Sequence, residues 1–169
     1  MIGNSSTFSL APWARAKVVL MGSNGALFDR VRDSVRSLQE TEYYAAEHTA
    51  PKGLASASTG PSRSRSSQAA IRHWFWNRKP ARGFVVSGFP ANRTEASVFD
   101  AWLDERDEAL TACLWLRDEN TSRAPATDQS AVADHYATQG NLVVVDATDA
   151  SDATCAAVTD LVASLTADR

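Results

Sequence analysis

The chain has 169 residues, of which 44% are hydrophobic and 22% charged, proportions that fit one globular domain with one core. Its apolar runs are strand-sized, well short of the ~18 residues that a membrane-spanning helix needs, so we expect no membrane span. Neither Cys113 nor Cys155 has a second Cys or a His at metal-ligand spacing. We therefore predict no metal site and interpret both as buried, reduced thiols of an intracellular protein.

The formal net charge of −3 hides a strong segregation along the chain. Residues 48–94 contain eight Lys and Arg and no acidic residue, whereas residues 95–169 contain 15 acidic and four basic residues. Such an asymmetry indicates that the basic stretch meets an anionic partner or that the two halves face different partners. The alternative is a solvated loop and a solubilising surface.

The first 16 residues are interpreted as an N-terminal extension to a domain spanning residues 17–169. Residues 1–28 contain no acid, which is weakly typical of a mitochondrial transit peptide. Because a strand already begins near Lys17, we expect a cytoplasmic protein and keep a mitochondrial location as the alternative.

The first half of the chain begins with a strand, a glycine-bounded turn and a helix. In order, the pattern predicts strand 17–21, the turn Gly22–Gly25, helix 26–39, a short strand 42–46, a flexible basic insertion at about 51–67, and a helix from Ser66 or Ser67 to Asn77. The insertion has almost no bulky apolar side chain, so it cannot offset the entropy of ordering.

The second half continues the alternation of strands and helices. It reads as strand 83–86, helix 94–110, strand 112–116, a polar loop 117–127, helix 128–138 ended by Gly140, a buried strand 141–145, and a last helix capped by Ser151 or Asp152. Apolar strands that alternate with helices predict an α/β fold, a doubly wound three-layer parallel sheet. Ligands of such sheets sit at the carboxyl ends of the strands.

The segment from Gly83 to Pro90, Gly-Phe-Val-Val-Ser-Gly-Phe-Pro, resembles a stretch of the adenylate kinase family. Supporting segments lie along residues 17–165: 18–26 is similar to the family's first strand and phosphate loop, 114–116 to its fourth strand, and 134–146 to its later helix, turn and strand. The resemblance implies a P-loop NTPase-like, nucleoside monophosphate kinase-like fold that uses ATP and Mg²⁺.

The residues that do the family's chemistry are replaced here. Gly22 and Gly25 keep their places in the phosphate loop, but Phe28 stands at the position of the lysine that grips phosphate, between Leu27 and Asp29, which stand where the family has glycines. A phenyl ring carries no charge to neutralise a phosphoryl group. The degenerate Walker A segment therefore predicts a loss of ATP chemistry.

Three further departures lie outside the phosphate loop. Ser87 stands where the family has the Asp of its magnesium shell, Ala91 replaces a phosphate-binding Arg, and Glu95 replaces the Gln that reads the base. The interval from Arg117 to Ala131 holds only Arg117 and Arg123 and is too short for the family's lid. Together these losses predict a pseudoenzyme with no catalytic residue and no cofactor.

We therefore expect a structural or docking subunit of a larger assembly. The alternatives are weak nucleotide binding at a remnant anion site, formed by Gly22, Ser23, Asn24, Gly25 and Arg93, and a residual ATP:nucleoside monophosphate phosphotransferase activity. Aromatic and basic residues favour protein interfaces, so the predicted partner contacts are Trp13, Arg63, Arg65, Arg72, Arg78 and Lys79. Nucleic-acid binding through residues 48–94 is the less favoured alternative, because no nucleic-acid motif accompanies the charges.

Two other groups of polar residues are interpreted without a functional role. The three histidines, His48, His73 and His135, have no Ser or Cys nucleophile motif beside them. The carboxylates between Asp104 and Glu108 are expected on a solvated helix face.

Overall fold

The computed structural model describes residues 14–22, 26–36, 42–45, 65–80, 82–117 and 128–167. Within them the strands are β1 (Lys17–Gly22), β2 (Glu42–Ala45), β3 (Phe84–Ser87), β4 (Ala112–Arg117) and β5 (Leu142–Asp146). The helices are α1 (Ala26–Arg36), α2 (Arg65–Asn77), α3 (Arg93–Glu105), α4 (Asp128–Thr138) and α5 (Asp152–Ala167). Most of the predicted N-terminal extension and of the basic insertion lies outside the described residues.

The five strands form one parallel sheet in the order β2-β3-β1-β4-β5. The central strand β1 pairs with β3 on one side and β4 on the other, with Val18 in register with Val85 and Ala112. Helices cover both faces, so the predicted three-layer α/β class is confirmed. Because all strands are parallel, their carboxyl ends meet at one edge of the sheet, where ligands bind in such folds.

The chain buries two apolar clusters, one on each face of the sheet. Beneath α2, α3 and α4 the core is aromatic, with Phe75 at its centre, 5.5 Å from the ring of Phe99. On the opposite face α1 and α5 bury aliphatic side chains, among them Leu27, Val31 and Val162. The buried residues of α1 and α2 recur at helical spacing, since the period of 3.6 directs them to one side.

Helix α3 ends earlier than predicted. The apolar pattern continues to Leu110, which is buried, but the helix stops at Glu105 and Asp107 adopts a left-handed backbone with φ 54°. Val98 on this helix is 43% exposed. The turn after Glu105 leaves Asp107 exposed and directs Glu108 into the protein.

Glu108 lies in a buried ion cluster, so its predicted solvated role is wrong. Its carboxylate pairs with Arg78 and also with Arg106, whose Nε donates at 3.1 Å, while Lys17 Nζ lies 3.6 Å away. Arg106 in addition donates to the carbonyl oxygens of Phe75 at 2.9 Å and Arg78 at 3.0 Å. These carbonyls lie at the C-terminal end of α2, so the cluster fastens that end of α2 to the loop after α3.

The last strand and helix confirm two predicted caps and correct one prediction. Gly140 ends α4 with φ 75°, and Ser151 Oγ accepts from Thr154 N at 3.3 Å at the start of α5. The prediction of a buried strand at 141–145 is wrong, because β5 is an edge strand with Val144 50% exposed.

Candidate functional site

The candidate site begins where β1 ends, at Gly22. A Cβ atom there would lie 2.8 Å from the carbonyl oxygen of Leu116 in β4, and the φ of Gly22 is 155°. Only glycine fits so close an approach between strands. Ser23, Asn24 and Gly25, the rest of the predicted anion site, lie outside the described residues.

The first turn of α1 carries no basic side chain and buries the ring of Phe28, at the position where the resemblance predicts the loss of a lysine. Phe28 is 4% exposed and belongs to the aliphatic cluster with Leu27 and Val31. Its Cδ2 would lie 3.5 Å from a Cβ at Gly22, so the ring packs beside the end of β1. Asp29 lies at the surface and pairs with Arg32 at 2.7 Å. This turn offers a carboxylate to the solvent, which disfavours a phosphate there.

Ser87 ends β3 at the same edge of the sheet. Its side chain is fully buried, and its hydroxyl lies 2.7 Å from the hydroxyl of Tyr43 in β2. The group is therefore neutral and partnered by another hydroxyl. A carboxylate that could orient the water shell of Mg²⁺ is missing at this position.

The Gly-Phe-Pro segment that follows Ser87 has a packing role. Gly88 has a left-handed φ of 71°, and the Phe89–Pro90 peptide is cis. Phe89 is 3% exposed and stacks on Trp102 of α3, with ring centroids 5.9 Å apart. The segment thus seats the start of α3 on the aromatic core.

Glu95, at the position expected to read a base, caps its own helix. The Asn92 side chain accepts from Glu95 N at 2.9 Å, and the Glu95 carboxylate accepts from Ala91 N at 2.8 Å. These reciprocal bonds resemble a capping box, in which two free N–H groups are satisfied together. Arg93, the other predicted anion-binding residue, is exposed at the first position of α3, and no described carboxylate pairs with it.

At the end of β4, Arg117 lies over an aromatic ring. Its guanidinium carbon is 4.9 Å from the centroid of Trp115, and Arg117 pairs in register with Asp146 of β5. Residues 118–127, most of the interval in which the family has its lid, lie outside the described residues. Gly22, Ser87 and Arg117 are the last residues of β1, β3 and β4 and therefore share the carboxyl edge of the parallel sheet. Arg93 is the first residue of the helix that follows β3.

The predicted partner contacts divide into three groups. Arg72 and Lys79 are exposed on or just after α2, as a contact requires. Arg78 is 4% exposed and stacks 4.5 Å from the rings of both Phe75 and Phe84, so its guanidinium cannot reach a partner and that prediction is wrong. Burial lowers the pKa of Arg78, and its bond to Glu108 opposes that shift. Trp13, Arg63 and the side chain of Arg65 are outside the described part of the chain.

Two polar features were missed by the sequence analysis. Trp76, 37% exposed, lies on the same face of α2 as Arg72 and His73, at spacings of four and three residues. His135 of α4 lies 2.6 Å from Asp100 of α3 and joins the two helices. The helical spacing on α2 was a usable signal, whereas the His–Asp pair joins positions 35 residues apart that no local pattern connects.

Among the described residues no group of three or more His, Cys, Asp or Glu side chains could hold a metal ion. None of the helices in the described ranges is long and apolar enough to cross a membrane. No protein-family model matches the chain, and no curated protein matches it significantly.

Proposed function

We propose that this chain is a non-catalytic member of the adenylate kinase-like fold that acts as a structural or docking subunit. The observation that carries the proposal is the burial of Phe28 in the aliphatic core, where an active relative would hold its phosphate-gripping lysine. A buried ring at this position stabilises the fold and leaves the glycine turn without a cation from the first turn of α1.

The other replaced residues support the same conclusion. Ser87 is held by Tyr43, Glu95 caps α3, and Asp29 pairs with Arg32. Phosphoryl transfer depends almost wholly on positioned charges, and here each of these side chains has a structural partner instead. A fold that is retained only for its shape needs structural contacts at these positions and no catalytic ones.

A docking role is supported by the outer face of α2. Arg72, His73, Trp76 and the following Lys79 are all exposed. No described carboxylate forms an ion pair with the side chain of Arg72 or Lys79, and Glu42 accepts only from the backbone N–H of Lys79. Trp and Arg are the residue types that most often dominate the energy of protein interfaces. The excess of positive charge favours an acidic surface on the partner protein.

The catalytic part of the proposal is tested with ATP, ADP and AMP at millimolar concentration, with and without Mg²⁺. We expect no turnover in a coupled phosphotransferase assay and no calorimetric heat. The proposal would be overturned by phosphotransferase turnover that persists through repeated purification of the natural chain and that is lost when the chain is mutated.

The docking part is tested by gentle purification of the tagged protein. We expect Arg72→Glu to lose partner proteins that Arg15→Glu, a matched change at another exposed arginine, retains. Equal recovery with both variants would remove α2 as the docking face.

Weak nucleotide binding is kept as a second candidate because Gly22 ends β1 and Arg93, which pairs with no described carboxylate, starts the helix after β3. If nucleotide binds, Arg93→Ala should weaken it by roughly tenfold, the value of one charged hydrogen bond, while Arg15→Ala should not. The absence of heat from the natural sequence rejects this candidate.

A further inference from the structure

The outer edge of β5 offers backbone hydrogen-bonding groups in regular order. Cys113 N donates to Asn141 O at 2.8 Å and Ala147 N donates to Arg117 O at 2.7 Å, which fixes the direction in which each residue of β5 points. By the alternation of a strand, the N–H and C=O groups of Val143 and Val145 face β4. Those of Leu142, Val144 and Asp146 face outward, and within the described residues β5 pairs with β4 alone.

The side chains of β5 leave its outer edge accessible to another strand. Val144 is 50% exposed, and Val143 and Val145 are half-buried. Edge strands normally resist pairing through charges, prolines or bulges in their middle. Here the middle of the strand is three valines, and the one charged residue, Asp146, stands at its end.

The strand is also complementary to itself. An antiparallel second copy centred on Val144 would pair Val144 with its own equivalent, and Leu142 with Asp146, through the outward groups. This arrangement forms about six hydrogen bonds, two for each of three pairs. It also sets Val143 opposite Val145 on the other face, so the seam is lined mainly by valine.

The charged residue within β5 does not oppose this arrangement. The two Asp146 side chains would lie four residues apart along the seam, roughly 14 Å, beyond the ~8 Å over which physiological salt screens exposed charges. Each Asp146 carboxylate already accepts from Thr148 N at 2.9 Å.

We propose that β5 is a homodimer interface, at which two copies of this chain join their sheets through antiparallel β5 strands around a two-fold axis at Val144. A two-fold axis uses the same patch on both copies and closes the assembly at two chains. The resulting sheet has ten strands and leaves α2 on each copy free for another partner. The inference is independent of the proposed loss of phosphoryl transfer.

The first test compares two lysine substitutions in sedimentation velocity over a wide range of protein concentration. The natural chain should approach twice its mass of 18.2 kDa as concentration rises. Val144→Lys should weaken association by roughly tenfold or more, because it loses apolar burial and brings two cations together. Val98→Lys is the matched control, since Val98 is a similarly exposed valine on α3. Its association should equal that of the natural chain.

The second test keeps a small apolar side chain and so avoids loss of folding. Val144→Cys, made together with Cys155→Ser, should give a covalent dimer with a short bismaleimide, because the paired Cα atoms would lie about 5.5 Å apart. Val98→Cys in the same background should stay monomeric. A natural chain that is monomeric at every concentration, or equal cross-linking at both positions, overturns the proposal.

Discussion

The buried ion cluster around Glu108 gives the sharpest prediction for stability. One carboxylate there faces three cations, Arg78, Arg106 and Lys17, and the side chains of Glu108 and Arg78 are 4% and 1% exposed. Replacing Glu108 with Gln keeps the shape and removes the only negative charge among these four side chains.

The expected cost follows from what the substitution leaves behind. Removal of one partner from a buried ion pair costs about 3–5 kcal/mol, because the remaining charge stays desolvated. For a chain of this size that loss lowers the melting temperature by roughly 6–20 °C. Arg78→Met should cost less, since Glu108 would keep Arg106 and Lys17.

The assay is urea and thermal unfolding, followed by tryptophan fluorescence and far-UV circular dichroism. Glu105→Gln is the matched control, because Glu105 is exposed and its substitution should change the free energy of unfolding by less than about 0.5 kcal/mol. The double variant Arg78→Met/Glu108→Gln should be less destabilised than the sum of the two single variants, as expected for residues in contact.

A loss below about 1 kcal/mol for Glu108→Gln would refute this reasoning. Such a small loss would mean that water reaches the cluster or that Arg78 finds another acceptor. The cluster would then not be the feature that holds the end of α2 in place. Additive effects in the double variant would equally contradict a direct pair.

Three further predictions concern the turn, the thiols and a helix cap. Gly22→Ala should lower the free energy of unfolding by about 1–3 kcal/mol, because its Cβ would meet a backbone carbonyl; denaturation that matches the natural chain would contradict the close approach. Cys113 is fully buried and burial raises its pKa to about 12, whereas Cys155 is only half-buried. A thiol reagent followed by mass spectrometry should therefore label Cys155 in the native protein and Cys113 only on unfolding. Asn92→Ala should cost about 1 kcal/mol by leaving an N–H of α3 without its acceptor, and a neutral effect on chemical denaturation would exclude the cap.

The alternation of strands and helices could be predicted from the sequence because the apolar residues of each element recur with a clear period. The sequence pattern predicted all ten elements, with boundaries mostly within two residues. It failed at the end of α3, where Leu110 continues the apolar pattern although the chain has already turned at Asp107. Local periodicity records that a residue is buried, and it does not record which element buries it.

Features that depend on the order of strands were beyond the sequence. An edge strand such as β5 has the same run of valines as a central strand, so its exposure follows from the topology alone. Likewise, Glu108 sits in a run of charged residues that a helix pattern places in solvent. Its buried role depends on Arg78, 30 residues away. At the candidate site, the uncharged side chain at Phe28 was evident from the sequence, but the packing of its ring was not.

The close approach of Leu116 to Gly22 limits what this glycine, which matches the phosphate-loop pattern, can indicate about ancestry and activity. Since a side chain at Gly22 would clash with the Leu116 carbonyl, selection for a well-paired sheet alone would preserve this glycine even in a protein that binds no nucleotide. A phosphate-loop signature scored by its glycines would therefore rank silent and active proteins alike. The informative position is three residues into the following helix, where a cation and a core-filling ring make incompatible demands.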